Sequence, residues 1–289
     1  MEEKLYGGVE AGGTKFICAV GSGDGTIVSR TEIPTTDVGQ TLQAVVDFFK
    51  QNSAIVSLGI GSFGPVDLNP SSPQFGFITH TPKAGWANTD IKGSLEKSLG
   101  VSAVLETDVN CAGIGEKFFG AAQAAHNFVY ITVGTGIGGG LIIDGVPYHG
   151  AGHLEIGHMR IPHEPLGDGF SGICSFHKDC LEGLASGPAI EARWGIKPQD
   201  ITAPEVWELE ATYIATALNN LVMSVRPELF VIGGGVMNRG GLIEAIRAKL
   251  QTSINGYLDL PSLESYVVPA SSPDNAVLGA IKLAATTLA

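Results

Sequence analysis

Glu10-Ala11-Gly12-Gly13-Thr14-Lys15 and Val133-Gly134-Thr135-Gly136-Ile137-Gly138-Gly139-Gly140 are two glycine-rich turns, each set between short apolar runs. Backbone this rich in glycine can bend sharply and aim several N–H groups at one point, which suits phosphate oxygens. Thr14 and Thr135 add hydroxyls, Lys15 adds a point charge, and Glu10 offers a carboxylate for a hydrated Mg²⁺. Neither turn has the spacing of a P-loop, and the second leads into a strand where a dinucleotide fingerprint needs a helix. Taken singly, each turn is also an ordinary hairpin bend. A third cluster, Gly233, Gly234 and Gly235, follows an apolar strand and precedes a helix, a place where nucleotides bind.

Leu105-Glu106-Thr107-Asp108-Val109-Asn110 passes from strand to helix, which puts Asp108 at the carboxyl edge of a sheet. There it can take the proton of a hydroxyl that attacks a phosphoryl group, or it can cap the helix that follows. Asn110 can orient the same substrate through its amide. Further on, Cys174, His177 and Cys180 stand at intervals of three, with His158 upstream. Together they supply the four N/S ligands that structural Zn²⁺ takes. His153 and His163 are rival fourth ligands, and the plain alternative is two buried cysteines among surface histidines. With all four positions filled by protein, the ion is structural. If zinc holds His158, Glu155 is fixed three residues before it and can accept hydrogen bonds from sugar hydroxyls; otherwise it is a solvated surface carboxylate.

These residues need strands and turns to hold them. Apolar periodicity predicts strands at 5–9, 15–20, 26–33, 55–60, 103–106, 128–133, 141–143, 229–232 and near 265–268. It predicts helices at 38–51, 89–99, 109–125, 205–225, 240–251 and from about 275. Residues 68–89 read as loop, and 145–183 as an irregular segment holding five of the seven histidines. Alternating strands and helices predict an α/β protein with helices outside its sheets. The hairpins at 5–20 and 128–143 sit in matching places, a weak internal duplication. It predicts an N-terminal domain over 1–120 and a C-terminal domain over 121–274. The two would flank a cleft, with a terminal helix at 275–289 packing back on the first.

Composition excludes more than it assigns. The chain has 289 residues, a formal net charge of −12 and 44% apolar residues. Phosphate contacts need clustered Lys and Arg, so nucleic acid is not expected as a partner. No apolar run is long enough to span a membrane and no signal peptide is evident. The four cysteines are too few for a disulfide framework, which fits reducing cytoplasm.

Together the Glu10, Glu106–Asn110, Val133–Gly140, Glu155–His158 and Gly233–Gly235 motifs resemble the ROK family (repressors, open reading frames, kinases) and, within it, the bacterial fructokinases. The resemblance covers essentially the whole chain. It implies the actin-like, ribonuclease H-like ATPase fold, ATP, Mg²⁺, structural Zn²⁺, and often a homodimer. It implies Asp108 as base, with Gly64, Pro65, Thr81, Pro82, Glu155 and His158 at the sugar. Gly12, Gly13, Thr14, Lys15, Gly134, Thr135 and Gly136 would face the phosphates, and Gly233, Gly234 and Gly235 the adenosine. Glu10, Thr107 and the Cys174-His177-Cys180 spacing depart from the family's glucokinases and are similar to its fructokinases. The implied activity is ATP-dependent 6-phosphorylation of D-fructose. Alternatives are a kinase for mannose, glucose or N-acetylmannosamine, and a sugar-responsive regulator. The regulator is disfavoured by the acidic charge and by a first strand that begins at Leu5.

Overall fold

The computed structural model describes residues 4–52, 54–163 and 168–287. Two compact units emerge, neither contiguous in sequence. The first comprises the chain up to Ala124, Gly145–Leu154 and the chain from Ser271; the second comprises Ala125–Asp144 and Glu155–Ala270.

In the first unit, β1 (Leu5–Ala11), β2 (Lys15–Ser22) and β3 (Ile27–Pro34) form an antiparallel meander. β4 (Leu58–Ser62) and β5 (Ala103–Thr107) then add in parallel, giving the order β3-β2-β1-β4-β5. This is the strand order of the ribonuclease H-like fold. Between them run α1 (Val38–Gln51) and α2 (Ile91–Leu99). Asp37 caps α1 by accepting from Gln40 N at 3.0 Å, and Leu42, Val45, Val46 and Phe49 bury its apolar face. The other face of the sheet takes α3 (Asp108–Phe119) and the terminal helix. Two glycines allow this close approach. A Cβ at Gly59 would lie 1.8 Å from Ala280 O, and one at Gly279 would lie 1.7 Å from Cys111 O.

Register decides which strand ends meet. Ala11 pairs with Ser62, and Ser62 with Thr107, so β1, β4 and β5 stop in line. One row back, Glu10, Gly61 and Glu106 share a level and therefore a face. In the sequence the strand before this edge starts at Ile55. In the structure it starts at Leu58, preceded by a half-exposed lead-in in which Val56 N still donates to Leu5 O and Val56 is 44% exposed.

The second unit repeats part of this pattern. β6 (Phe128–Val133) pairs antiparallel with β7 (Ile137–Ile143) and parallel with β8 (Leu229–Gly233), which pairs parallel with β9 (Val267–Pro269). Its helices are α4 (Leu181–Ala185), α5 (Gly187–Trp194), α6 (Pro204–Val225), α7 (Leu242–Ile254) and α8 (Leu263–Tyr266). The last helix of the chain, α9 (Asn275–Thr287), belongs to the first unit. Among the described residues no helix is long and apolar enough to cross a membrane.

Candidate active site

Asp108 is the first residue of α3 and is half-buried. It is not the cap. Thr107 takes that role, its Oγ1 accepting from Asn110 N at 3.2 Å. The strand runs one residue further than its apolar pattern predicts, which moves the capping position onto Thr107. Asp108 Oδ1 accepts from Val109 N at 2.8 Å, fixing the carboxylate at a helix N-terminus, where negative charge is favoured. Thr107 and Asn110 are both buried, and Asn110 Nδ2 donates to Glu106 Oε1 at 2.9 Å.

Glu106, part of the Glu106–Asn110 motif, was given no role of its own by sequence reasoning. It is 5% exposed and its carboxylate accepts from Thr107 N at 2.7 Å and from Asn110, and pairs with His149 Nε2 at 2.8 Å. The hydrogen bond to Glu106 raises the His149 pKa, partly offset by burial. An acidic residue near the end of an otherwise apolar strand was the available signal, since burial demands donors. Cys111 sits under this group with its thiol pushed far up, by burial first and then by the charges of Glu106, Asp108 and Glu10. It is an inert packing residue.

Glu10 completes the acidic edge. Its Oε2 is sealed from solvent and has no hydrogen-bond partner among the described residues. Burial first, then repulsion from Asp108 and Asp274, push its pKa from 4.5 up to about 7, against the pull of Lys15 and Arg30. The folded protein therefore holds a proton on Glu10 that the unfolded chain releases above pH 4.5. The associated stability is fully present below that pH and is lost as pH rises through about 7. Glu10→Gln should therefore be more stable than wild type at pH 8, by on the order of 3 kcal/mol, and equal to it near pH 4. Thermal melts without added magnesium check this; a constant difference across pH would contradict it.

The first glycine turn is a tight hairpin bend. Gly12 N donates to Lys15 O at 3.0 Å, and Thr35 Oγ1 donates to Gly12 O at 2.7 Å. A Cβ at Gly13 would meet nothing within 4 Å, so packing does not require glycine there. Thr14 is exposed, and Lys15 Nζ pairs with Glu32 at 2.8 Å on the surface. After β4, Gly64 and Pro65 are half-buried and joined by a cis peptide, and Val66 N donates to His153 Nε2 at 3.1 Å. Thr81 Oγ1 accepts from Lys83 N at 3.3 Å, while Pro82 is exposed. Trp86, fully buried against Phe16 and Phe63, donates to Thr36 O and anchors this loop.

In the second unit, Thr132 lies beside Gly233, so both remaining glycine clusters leave adjacent parallel strands at the same end. A Cβ at Gly134 would lie 3.7 Å from Gly235 N, while Gly235 itself faces open space. Gly187 N, at the start of α5, donates to Gly134 O at 2.8 Å. Gly136 is pressed by Glu182, whose Oε2 accepts from Ile137 N at 3.0 Å, leaving exposed Thr135 at the tip. Gly234 has φ 97°, and a Cβ there would strike Val133.

His158, Cys174, His177 and Cys180 also gather in this unit, their ligand atoms all within 4.8 Å of one another. His158 Nδ1 lies 3.5 Å from Cys180 Sγ and 3.8 Å from Cys174 Sγ, and His177 Nδ1 lies 3.7 Å from Cys174 Sγ. A tetrahedral zinc with ordinary Zn–S and Zn–N bonds needs S···N edges of about 3.6 Å, so the set fits. The rivals lie elsewhere. His153 is committed to Val66, and His163 rests edge-on to Phe170 at 6.5 Å. Glu155 is exposed at the head of a short 3₁₀ turn, Ile156–His158, and its carbonyl accepts from His158 N.

The fructokinase of Pediococcus pentosaceus is 42% identical over 286 residues, covering 98% of this chain and 99% of that protein. The fructokinase of Streptococcus mutans is 42% identical over 287 residues, covering 97% of each. Among solved structures, a ROK hexokinase from Thermus thermophilus has a TM-score of 0.80 at 26% identity, covering 97% of this chain and 98% of that one. A ROK family glucokinase from Streptomyces griseus, in complex with glucose and AMPPNP, has a TM-score of 0.79 at 27% identity, covering 97% and 99%. These neighbours share the actin-like fold inferred from the strand order. The sequence matches the ROK family over residues 6–287, and with a carboxylate at the β5 edge, paired glycine turns and a Cys/His cluster in place, the chain belongs to the ROK family.

Proposed function

We propose that this protein is a fructokinase that transfers the γ-phosphoryl group of ATP to the 6-hydroxyl of D-fructose. The observation that carries the reading is Asp108. It stands at the end of β5, at the head of α3, with Thr107 doing the capping that would otherwise explain it. Asp108 takes the hydroxyl proton as the oxygen attacks the γ-phosphorus and ADP leaves. Full-length likeness to fructokinases supports the sugar, and the AMPPNP bound by the Streptomyces griseus glucokinase supports the nucleotide.

The other residues take positions consistent with this. Gly13, Thr14, Thr135 and Gly136 offer backbone N–H groups and hydroxyls to phosphates, whereas the N–H groups of Gly12 and Gly134 are taken by Lys15 O and Gly136 O and these two glycines shape the turns; Gly234 and Gly235 lie beside the second turn for the adenosine. Gly64, Pro65 and Glu155 serve the sugar, while Thr107 and Asn110 act from behind by fixing the start of α3. The unpartnered Oε2 of Glu10 suits the water shell of Mg²⁺, which would neutralise phosphate charge when bound with ATP. The Cys/His set suits structural Zn²⁺, with no ligand position left for substrate.

A coupled ADP-release assay across fructose, mannose, glucose and N-acetylmannosamine tests the reading. The expected order has the highest kcat/KM for fructose and mannose next. A higher kcat/KM for glucose or N-acetylmannosamine would reassign the substrate, and no ADP release with any of them would remove the kinase assignment.

A further inference from the structure

Gly145–Leu154 is a short segment that carries two histidines to two neighbouring strand ends of the first unit. His149 Nε2 lies 2.8 Å from Glu106 Oε2 on β5, and Val66 N donates to His153 Nε2 over 3.1 Å just beyond β4. Those strand ends are in register, Ser62 beside Thr107. The two rings are held differently. A carboxylate only accepts, so His149 donates through Nε2. His153 accepts at Nε2, and its Nδ1 lies 3.3 Å from Leu154 O, to which it donates. A Cβ on Gly64 would come within 3.5 Å of the His153 ring.

The same Glu106 carboxylate also holds Thr107 N and the Asn110 amide. One buried anion thus ties the first turn of α3 to the segment, and the second histidine ties the segment to the loop carrying Gly64 and Pro65. We propose that His149 and His153 are positioning residues, which dock Gly145–Leu154 on the ends of β4 and β5 and so set the affinity for the hexose. This rests on the sugar-kinase reading above. The histidines act through the loops they hold, so hexose binding should suffer more than the phosphoryl step.

His149→Ala and His153→Leu test it, each assayed with the hexose that wild type prefers. Hexose KM should rise about five- to tenfold for each lost hydrogen bond, with kcat within about threefold and ATP KM unchanged. His149→Arg, which keeps a donor for Glu106, and His153→Gln, which keeps an acceptor for Val66 N, should recover most of the loss. Unchanged hexose KM, a loss in kcat alone, or conservative variants no better than the deletions would overturn the proposal. Amide hydrogen exchange in the free protein gives a reading independent of turnover. Residues 63–67 and 145–154 should exchange about tenfold faster in the deletion variants than in wild type. Unaltered exchange would overturn the docking even if KM moved. Should wild type phosphorylate no hexose, the kinase reading fails on its own while exchange still decides the docking.

Discussion

Replacing Asp108 with Asn should leave a folded protein that binds hexose and ATP but turns over between about a hundred and ten thousand times more slowly. The amide keeps the shape and can still accept from Val109 N through its oxygen, so the start of α3 is preserved. It cannot take a proton. Thr107 continues to cap the helix, so little stability is at stake. The result should appear in kcat, with hexose KM and the thermal midpoint close to wild type. Near-normal kcat would remove Asp108 from the mechanism. A large fall in thermal midpoint would mean that the residue serves the fold instead.

Loss of the zinc proposed for the Cys/His cluster should be as severe. Elemental analysis should find about one zinc per chain, and Cys174→Ser or Cys180→Ser should lose it together with at least about a hundredfold in activity. The segment around the cluster has little regular structure among its described residues, and single contacts such as Arg160–Asp179 and Ile173 N to Gly183 O hold it. Cys174 and Lys178 form one isolated bridge, Arg160 and Cys180 another, and Lys178 and Gly172 both take positive φ. Zinc must find both thiols deprotonated, so its retention should weaken as pH falls. Acid or chelator should release metal and activity in parallel, and added zinc should restore both. A folded, fully active, metal-free protein would refute the assignment.

What could be read in advance followed the range of the interactions involved. Helix α1 was legible to the residue because its apolar stripe and its Asp37 cap are local. The Cys/His cluster was legible from the spacing of three residues, but the choice among His153, His158 and His163 was not. That choice depends on Val66, which withdraws His153 from a distance in sequence. Whether Asp108 or Thr107 caps α3 turned on a single residue at a strand end, the least predictable kind of boundary. The Glu106–His149 pair joins residues far apart in sequence and has no periodic signature. Lys15 looked like a phosphate ligand by its neighbours, yet β2–β3 pairing brings Glu32 within reach of it.

The division of the chain has a consequence for anyone who would take the protein apart. The backbone passes from one unit to the other after Ala124, after Asp144, after Leu154 and after Ala270. No single cut, and no single linker, separates the units. A fragment ending near residue 124 would lack α9, which covers β1 and β4, and would lack the histidine that satisfies Glu106. Expression as two halves should therefore yield incomplete cores, whereas a circular permutant that keeps all four crossings retains every contact of each unit. The architecture makes the whole chain the smallest inheritable piece.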